Sequence, residues 1–186
     1  MKKIIILAAS IFSFAAVKAQ NTSNASSTAS QTVQLALSNA LEITFTGNGS
    51  ATGSTVTLPF ATVNDYANGV ESAAQEIRVR SNKNFSVTVK TAAANFSVTN
   101  NGNTATSSMP ASVLGVAVAS NNTGGQIGQG FSANSYNVLS ATAANLITNA
   151  ANGGNQTFSV KYKATPGFAY PAGTYATDVV FTATQQ

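Results

Sequence analysis

The sequence predicts an all-β protein built as a single Ig-like antiparallel β-sandwich of about eight or nine short strands. Three observations lead to this prediction. Beyond Thr32, apolar and polar residues mostly alternate with a period of two, which is typical of strands with one buried face. Clusters of Gly, Asn, Ser and Pro interrupt this alternation at short intervals. The long unbroken apolar runs that a parallel sheet needs are missing after Thr32.

The clearest unit is the run EIRVRSNKNFSVTVK, residues 76–90. Apolar side chains alternate with polar ones on both sides of a polar turn at residues 81–84, so we expect a hairpin of two half-buried strands. The same alternation predicts further strands around Val33, Leu35 and Leu37; Leu41, Ile43 and Phe45; Val56 and Leu58; Phe96 and Val98; Leu114, Val116 and Val118; Phe158, Val160 and Tyr162; and Tyr175 to Ala183.

Four stretches lack a clear strand pattern. Residues 61–74 are expected to be irregular, and residues 100–108 and 120–130 are expected to be polar loops. Residues 135–151 are ambiguous, because the spacing of their apolar residues also fits one face of a helix. The surrounding pattern favours strand and loop there.

The N-terminal residues predict export. Residues 1–19 begin with Lys2 and Lys3, continue with a short apolar run and end with small residues before a cleavage point, which indicates a signal peptide. A retained N-terminal anchor is the alternative. Residues 20–31 contain no large apolar side chain and are expected to form a disordered polar leader before a β-sandwich domain at residues 32–186. We therefore expect a periplasmic, cell-surface or secreted protein with no membrane span after cleavage.

The charge balance argues against nucleic acid as a partner. The whole chain has a formal net charge of +4, but three of its lysines lie in the predicted signal peptide. The chain that remains has six basic and five acidic residues, a net charge of +1. Nucleic-acid binding would need a basic stripe, and none is visible.

The side-chain inventory leaves little reactive chemistry. The chain has no His and no Cys, which removes the usual general base, the thiol nucleophile and most transition-metal ligands. We therefore expect no enzymatic activity and no cofactor.

Two weaker site hypotheses remain. Asp65 and Glu71 lie in the segment NDYANGVE, residues 64–71, whose oxygen atoms could bind Ca²⁺, although an Asx-rich turn explains the same residues. Aromatic residues in loop-like segments could contact an extracellular glycan or another ligand, although loop packing also explains them. These candidates are Tyr66, Tyr136, Phe168 and Tyr170.

The two ends of the chain, VQLALSNALEITFTG and PAGTYATDVVFTATQQ, resemble those of spore-coat-U-like and pilin-like exported β-sandwich domains. The resemblance covers about forty residues, and it implies an exported, non-catalytic subunit that assembles into a fibre by strand donation. The residues that carry it are Ile43, Phe45 and Gly47 near the start and Ala172, Gly173, Tyr175 and Asp178 near the end.

Two functional interpretations stay open. In the first, the protein is a structural or adhesive surface protein that binds itself or related surface subunits, with Val33, Leu35 and Leu37 as the donor strand. Residues 32–46 could equally be one bent first strand of a complete sandwich. In the second interpretation, the protein is a soluble module that binds an extracellular glycan or ligand.

Overall fold

The computed structural model describes residues 26–100 and 102–186. The predicted signal peptide at residues 1–19 lies outside these residues, as does the first part of the predicted leader. Residues 26–36 belong to one structural unit and residues 37–186 to another, and each is described by itself. Residues 26–36 are exposed and contain no helix or strand. In the second unit, the first strand begins at Leu41.

Residues 37–186 form antiparallel sheets, which confirms the predicted all-β fold class. The largest sheet has the order β1-β3-β11-β7-β9, with β2 paired to β11. A second sheet has the order β13-β4-β10-β8, and a third has the order β12-β5-β6. The strands are β1 (Leu41–Phe45), β2 (Val70–Glu71), β3 (Gln75–Ser81), β4 (Phe85–Thr91), β5 (Asn95–Asn100), β6 (Asn103–Pro110), β7 (Leu114–Asn121), β8 (Gln126–Ile127), β9 (Asn137–Val138), β10 (Ala144–Ala150), β11 (Gly153–Ala164), β12 (Thr174–Ala176) and β13 (Val179–Gln185).

The core lies between the largest and the second sheet. Every second side chain of β3, β7 and β11 points into it, and so does every second side chain of β4. Phe85 and Phe158 are its largest fully buried side chains. In β3 and β4, which bury one face, the alternation visible in the sequence is the alternation of burial in the structure, whereas β7 buries residues 114–118 on both faces.

The hairpin predicted at residues 76–90 is wrong in its pairing. Both strands form, but β3 pairs with β1 and β11, whereas β4 pairs with β10 and β13. The short connection therefore crosses from one sheet to the other. Two strands in different sheets can pack their apolar faces against each other across the core. Alternation of apolar and polar residues therefore does not specify which strand is the hydrogen-bonding partner.

Other segments also differ from the sequence expectation. The stretch expected to be irregular contains a short helix, α1 (Val63–Asn68), and most of the predicted polar loop at residues 100–108 is β6. The ambiguous residues 135–151 provide β9 and β10 rather than a helix. The predicted last strand is divided between two sheets, as β12 and β13.

The two sides of the sandwich end differently. On one side, the outermost strands are β8 and β9, each of two residues. On the other side they are the five-residue β1 and the seven-residue β13. These two longer strands meet at the rings of Phe45 and Phe181, whose centroids are 6.2 Å apart.

Candidate functional site

The free side of β13 is the main candidate site, and we call it the open edge. β13 pairs with β4 in a continuous register from Val179 to Gln185. Just beyond its ends, Ala92 N donates to Asp178 O at 2.9 Å and Gln186 N donates to Asn84 O at 2.8 Å. These bonds fix the phase of the pairing, so even-numbered residues of β13 bond to β4. The odd-numbered residues therefore direct their N–H and C=O groups to the other side.

No backbone hydrogen bond joins that other side to any described residue. The odd-numbered residues also carry the inward side chains, of which Val179, Phe181 and Ala183 are only half-buried against the core. An incoming strand could thus bond to their backbone and cover their side chains in a single step. This combination is what β-strand addition requires.

The open edge lacks the usual protection of sheet edges. Natural edge strands are commonly short, bulged, or interrupted by Lys or Pro, so that they do not pair with other chains. The sequence of β13, VVFTATQ, contains no charged residue and no proline, and its register has no bulge. Its physical properties therefore favour pairing with another strand.

The segment proposed as a donor strand has complementary properties. Val33 and Leu35 are 75% and 76% exposed and lie in the unit of residues 26–36, whereas Leu37 is 88% exposed and begins the next unit. None of the three lies in a helix or strand. In a strand, their spacing of two residues would put all three apolar side chains on one face.

Residues 53–60 form a further segment that pairs with no strand among the described residues. Its alternate side chains, Val56, Leu58 and Phe60, pack half-buried against the core, which fits the predicted alternation. Among the described residues, however, this segment makes no backbone-to-backbone hydrogen bond, and the strand predicted at Val56 and Leu58 does not form. Burial of one face does not by itself give a strand its partner.

The predicted ligand-contact residues fall into separate places. Tyr66 and Phe168 come together, with ring centroids 5.6 Å apart and nearly parallel planes at 22°. The ring of Phe60 also packs against that of Tyr66, with centroids 5.4 Å apart, a contact that the sequence analysis did not predict. Phe168 is 67% exposed, so this stack offers one aromatic face to solvent. Tyr170 packs instead against Tyr175 at 6.5 Å.

Tyr136 lies in a polar cluster rather than in an aromatic one. Lys163 Nζ lies 5.9 Å from the centre of its ring and 3.6 Å from Glu71 Oε1. Partial burial, together with the nearby Glu71 carboxylate, raises the pKa of Tyr136 to about 12. The phenol is therefore neutral at physiological pH.

The two candidate calcium ligands serve structural roles. Asp65 Oδ2 accepts from Thr62 N at 2.7 Å and from Ala61 N at 2.9 Å, and this completes a capping box at the start of α1. Hydrogen bonds from Thr62 and Ala61 lower the pKa of Asp65. Glu71 pairs with Lys163. Nowhere in residues 26–100 and 102–186 do three or more His, Cys, Asp or Glu side chains lie close enough together to hold a metal ion.

No helix within the described residues has the length and apolar character needed to cross a membrane. No family model and no curated protein matches the sequence. One solved structure with some similarity is a family 123 glycoside hydrolase from Clostridium perfringens, studied for glycolipid glycan hydrolysis. It is 13% identical, with a TM-score of 0.34, over 78% of this chain and 25% of that one. The chain thus spans a quarter of that protein, and a similarity this low carries no argument about fold or function.

Proposed function

We propose that the protein is an exported, non-catalytic structural or adhesive surface protein whose copies assemble by strand addition. Residues 33–37 of one copy form a strand on the open edge of the next copy. The observation that carries this proposal is the unprotected seven-residue edge of β13, with its half-buried apolar side chains. The exposed Val33, Leu35 and Leu37 supply the matching apolar face.

Strand addition would pair the free backbone groups of the open edge and cover its half-buried apolar side chains. Main-chain hydrogen bonds supply affinity, and alternate side chains supply specificity. Burying one Val or Leu side chain contributes about 1.5–3 kcal/mol, whereas ordering the backbone of one residue costs about 1–2 kcal/mol. Apolar burial and hydrogen bonding are therefore both needed to stabilise the added strand, so removal of either should prevent assembly.

The donor segment can be tested by exchanging its apolar face. The changes Val33→Ser, Leu35→Ser and Leu37→Ser together should abolish assembly, because the added strand then buries no apolar side chain. The control carries Gln34→Ser and Ala36→Ser, which alter the opposite face of the same segment. Sedimentation velocity over a range of concentrations, with negative-stain microscopy, measures assembly of chains that begin at Gln20.

Assembly of the wild type and the control, with a monomeric triple variant, supports the proposal. A wild-type protein that stays monomeric at every concentration would overturn it. Equal assembly of all three proteins would also overturn it, because residues 33–37 would then play no part.

Export is the second part of the proposal. Its support is the signal-peptide pattern of residues 1–19, and cleavage is expected between Ala19 and Gln20. Fractionation of producing cells, followed by N-terminal sequencing, tests it directly. A protein that starts at Gln20 outside the inner compartment fits the proposal, whereas an uncleaved protein retained inside contradicts it.

Binding of an extracellular glycan is a second candidate function, favoured by the stacked Tyr66 and Phe168. An exposed aromatic ring held in place by another ring suits the apolar face of a sugar. A glycan array with the wild type, Phe168→Ala and Val138→Ala tests this. Val138 is a matched control because it is 70% exposed, against 67% for Phe168. Loss of signal in Phe168→Ala alone supports glycan binding. Absence of signal from the wild type would rule out this candidate function.

A further inference from the structure

A polar network holds the chain at residues 38–40, just before β1. The side chain of Asn82, in the β3–β4 connection, binds this backbone at two points. Its Oδ1 accepts from Ala40 N at 2.9 Å, and its Nδ2 donates to Ser38 O at 2.8 Å. The carboxamide of Asn82 thus takes the place that a peptide group of a neighbouring strand would occupy.

Gln185 joins the same network from the end of β13. Its Nε2 donates to Ala40 O at 2.8 Å and to Asn82 Oδ1 at 3.0 Å. Asn82 N also donates to Ala40 O, at 3.2 Å. All of these residues lie in the unit of residues 37–186. Two parts of the chain more than a hundred positions apart therefore bind one short stretch of backbone.

This network extends the pairing of the sheet. The bond from Asn82 N to Ala40 O continues the β1–β3 register one step beyond Leu41 and Ser81, and side chains supply the other bonds to residues 38–40. The side chains of Asn82 and Gln185 bind main-chain atoms there, so they hold the path of the chain rather than any particular side chain. The next residue toward the N-terminus, Leu37, is 88% exposed.

We propose that Asn82 and Gln185 are positioning residues that form a joint, by which we mean that they hold the backbone of residues 38–40 at a fixed place on the body. The consequence for assembly rests on the proposed strand addition. A segment that leaves from a fixed joint has fewer conformations to lose when it binds the next copy, and such preorganisation strengthens binding.

The joint itself can be tested in the monomer. Because the chain contains no Cys, Leu37→Cys and Lys90→Cys allow two spin labels to be attached without side reactions. Pulsed electron spin resonance then measures the distribution of distances between them. We expect a narrow distribution in the parent protein and a clearly broader one after Asn82→Ala with Gln185→Ala.

Asn84→Ala is the matched control. Asn84 lies in the same connection, and its Oδ1 accepts from Asn152 N at 3.2 Å, so this change removes one side-chain hydrogen bond without touching residues 38–40. The control should keep the narrow distribution. Equal widths in all three proteins, or a broad distribution in the parent, would overturn the joint.

The consequence for assembly is measured separately, on chains without labels. The double variant should associate more weakly on the order of tenfold, the cost of ordering about one freed backbone residue, whereas Asn84→Ala should associate like the wild type. Unchanged association of the double variant would overturn the role of the joint in assembly. A wild type that never assembles but shows the expected distances would remove the proposed function and leave the joint supported.

Discussion

The central strands β3 and β4 and the outer strands β1 and β13 use the same alternating pattern with different results. The inward residues Ile77 and Val79 of β3 and Val87 of β4 are fully buried. The inward residues Val179, Phe181 and Ala183 of β13 are only half-buried, although they are also apolar. The difference arises because each central strand has a neighbour on both sides, whereas β1 and β13 each have a neighbour on one side. The open edge thus combines half-buried apolar side chains with a backbone that is unpaired on one side.

The largest expected effect is a difference in stability loss between alanine variants of Phe158 and Phe181. The ring centroids of these two residues are 6.3 Å apart. Phe158→Ala leaves a cavity in a fully buried site and should lower the free energy of unfolding by about 3–5 kcal/mol. Phe181→Ala at the open edge should cost the monomer only about 1–2 kcal/mol, because solvent already reaches its ring. Urea unfolding of dilute monomers measures both values. Equal losses would mean that the edge is already closed.

The second prediction uses proline substitutions to test which N–H groups of β13 are bonded to β4 and which are free. Thr182→Pro removes an N–H that bonds to β4 and should lower the free energy of unfolding by about 2–3 kcal/mol. Ala183→Pro removes an N–H on the free side, where proline is tolerated. This change should alter the free energy of unfolding by no more than about 1 kcal/mol.

The same two variants test assembly. Ala183→Pro should leave a folded monomer that no longer accepts a strand, because the open edge has lost a donor. Chemical unfolding and sedimentation of each variant provide the measurements. If Ala183→Pro were as destabilising as Thr182→Pro, the assigned phase of the β13 pairing would be wrong.

The sequence predicted burial better than it predicted pairing. The alternation in residues 76–90 correctly placed Ile77, Val79, Phe85 and Val87 inside. It did not reveal that β3 and β4 lie in different sheets, because an inward-facing residue looks the same whichever strand lies beside it. For the same reason, it could not show that residues 53–60 have no backbone partner in the part of the chain that the structure describes.

The candidate sites depended even more on the three-dimensional fold. The sequence suggested Tyr66 and Phe168 separately as loop aromatics, but only the fold stacks one ring on the other. Asp65 looked like an oxygen ligand, and the capping box at Thr62 is visible in the sequence only once a helix is expected there. The Asn82 and Gln185 contacts join residues too distant in the chain for any local pattern to connect them.

A smaller effect is expected on stability at high pH, where the buried Tyr162 and the more peripheral Tyr136 should differ. Burial raises the pKa of Tyr162 well above its ordinary value, and the pKa of Tyr136 rises to about 12. In the unfolded chain a tyrosine has a pKa of about 10. The folded state therefore holds these protons more tightly, so their stabilising contribution is complete below pH ~10 and is lost as pH rises through the folded values.

Thermal unfolding between pH ~9 and ~11.5 tests this comparison, with the wild type as the reference for lysine titration. Tyr162→Phe should remove more of the alkaline loss of stability than Tyr136→Phe, because Tyr162 is only 7% exposed on β11. A larger effect of Tyr136→Phe would indicate that its cluster with Glu71 and Lys163 dominates over burial.

Amide hydrogen exchange along β13 tests the open edge most directly. In a dilute monomer that begins at Gln20, the amides of Thr182 and Thr184 should be protected by their bonds to β4, whereas those of Phe181 and Ala183 should exchange quickly. On assembly, Phe181 and Ala183 should gain protection in the wild type but not in the Val33, Leu35 and Leu37 triple serine variant. Slow exchange of Phe181 and Ala183 in that monomeric variant would contradict the account, because their side of β13 would already be paired.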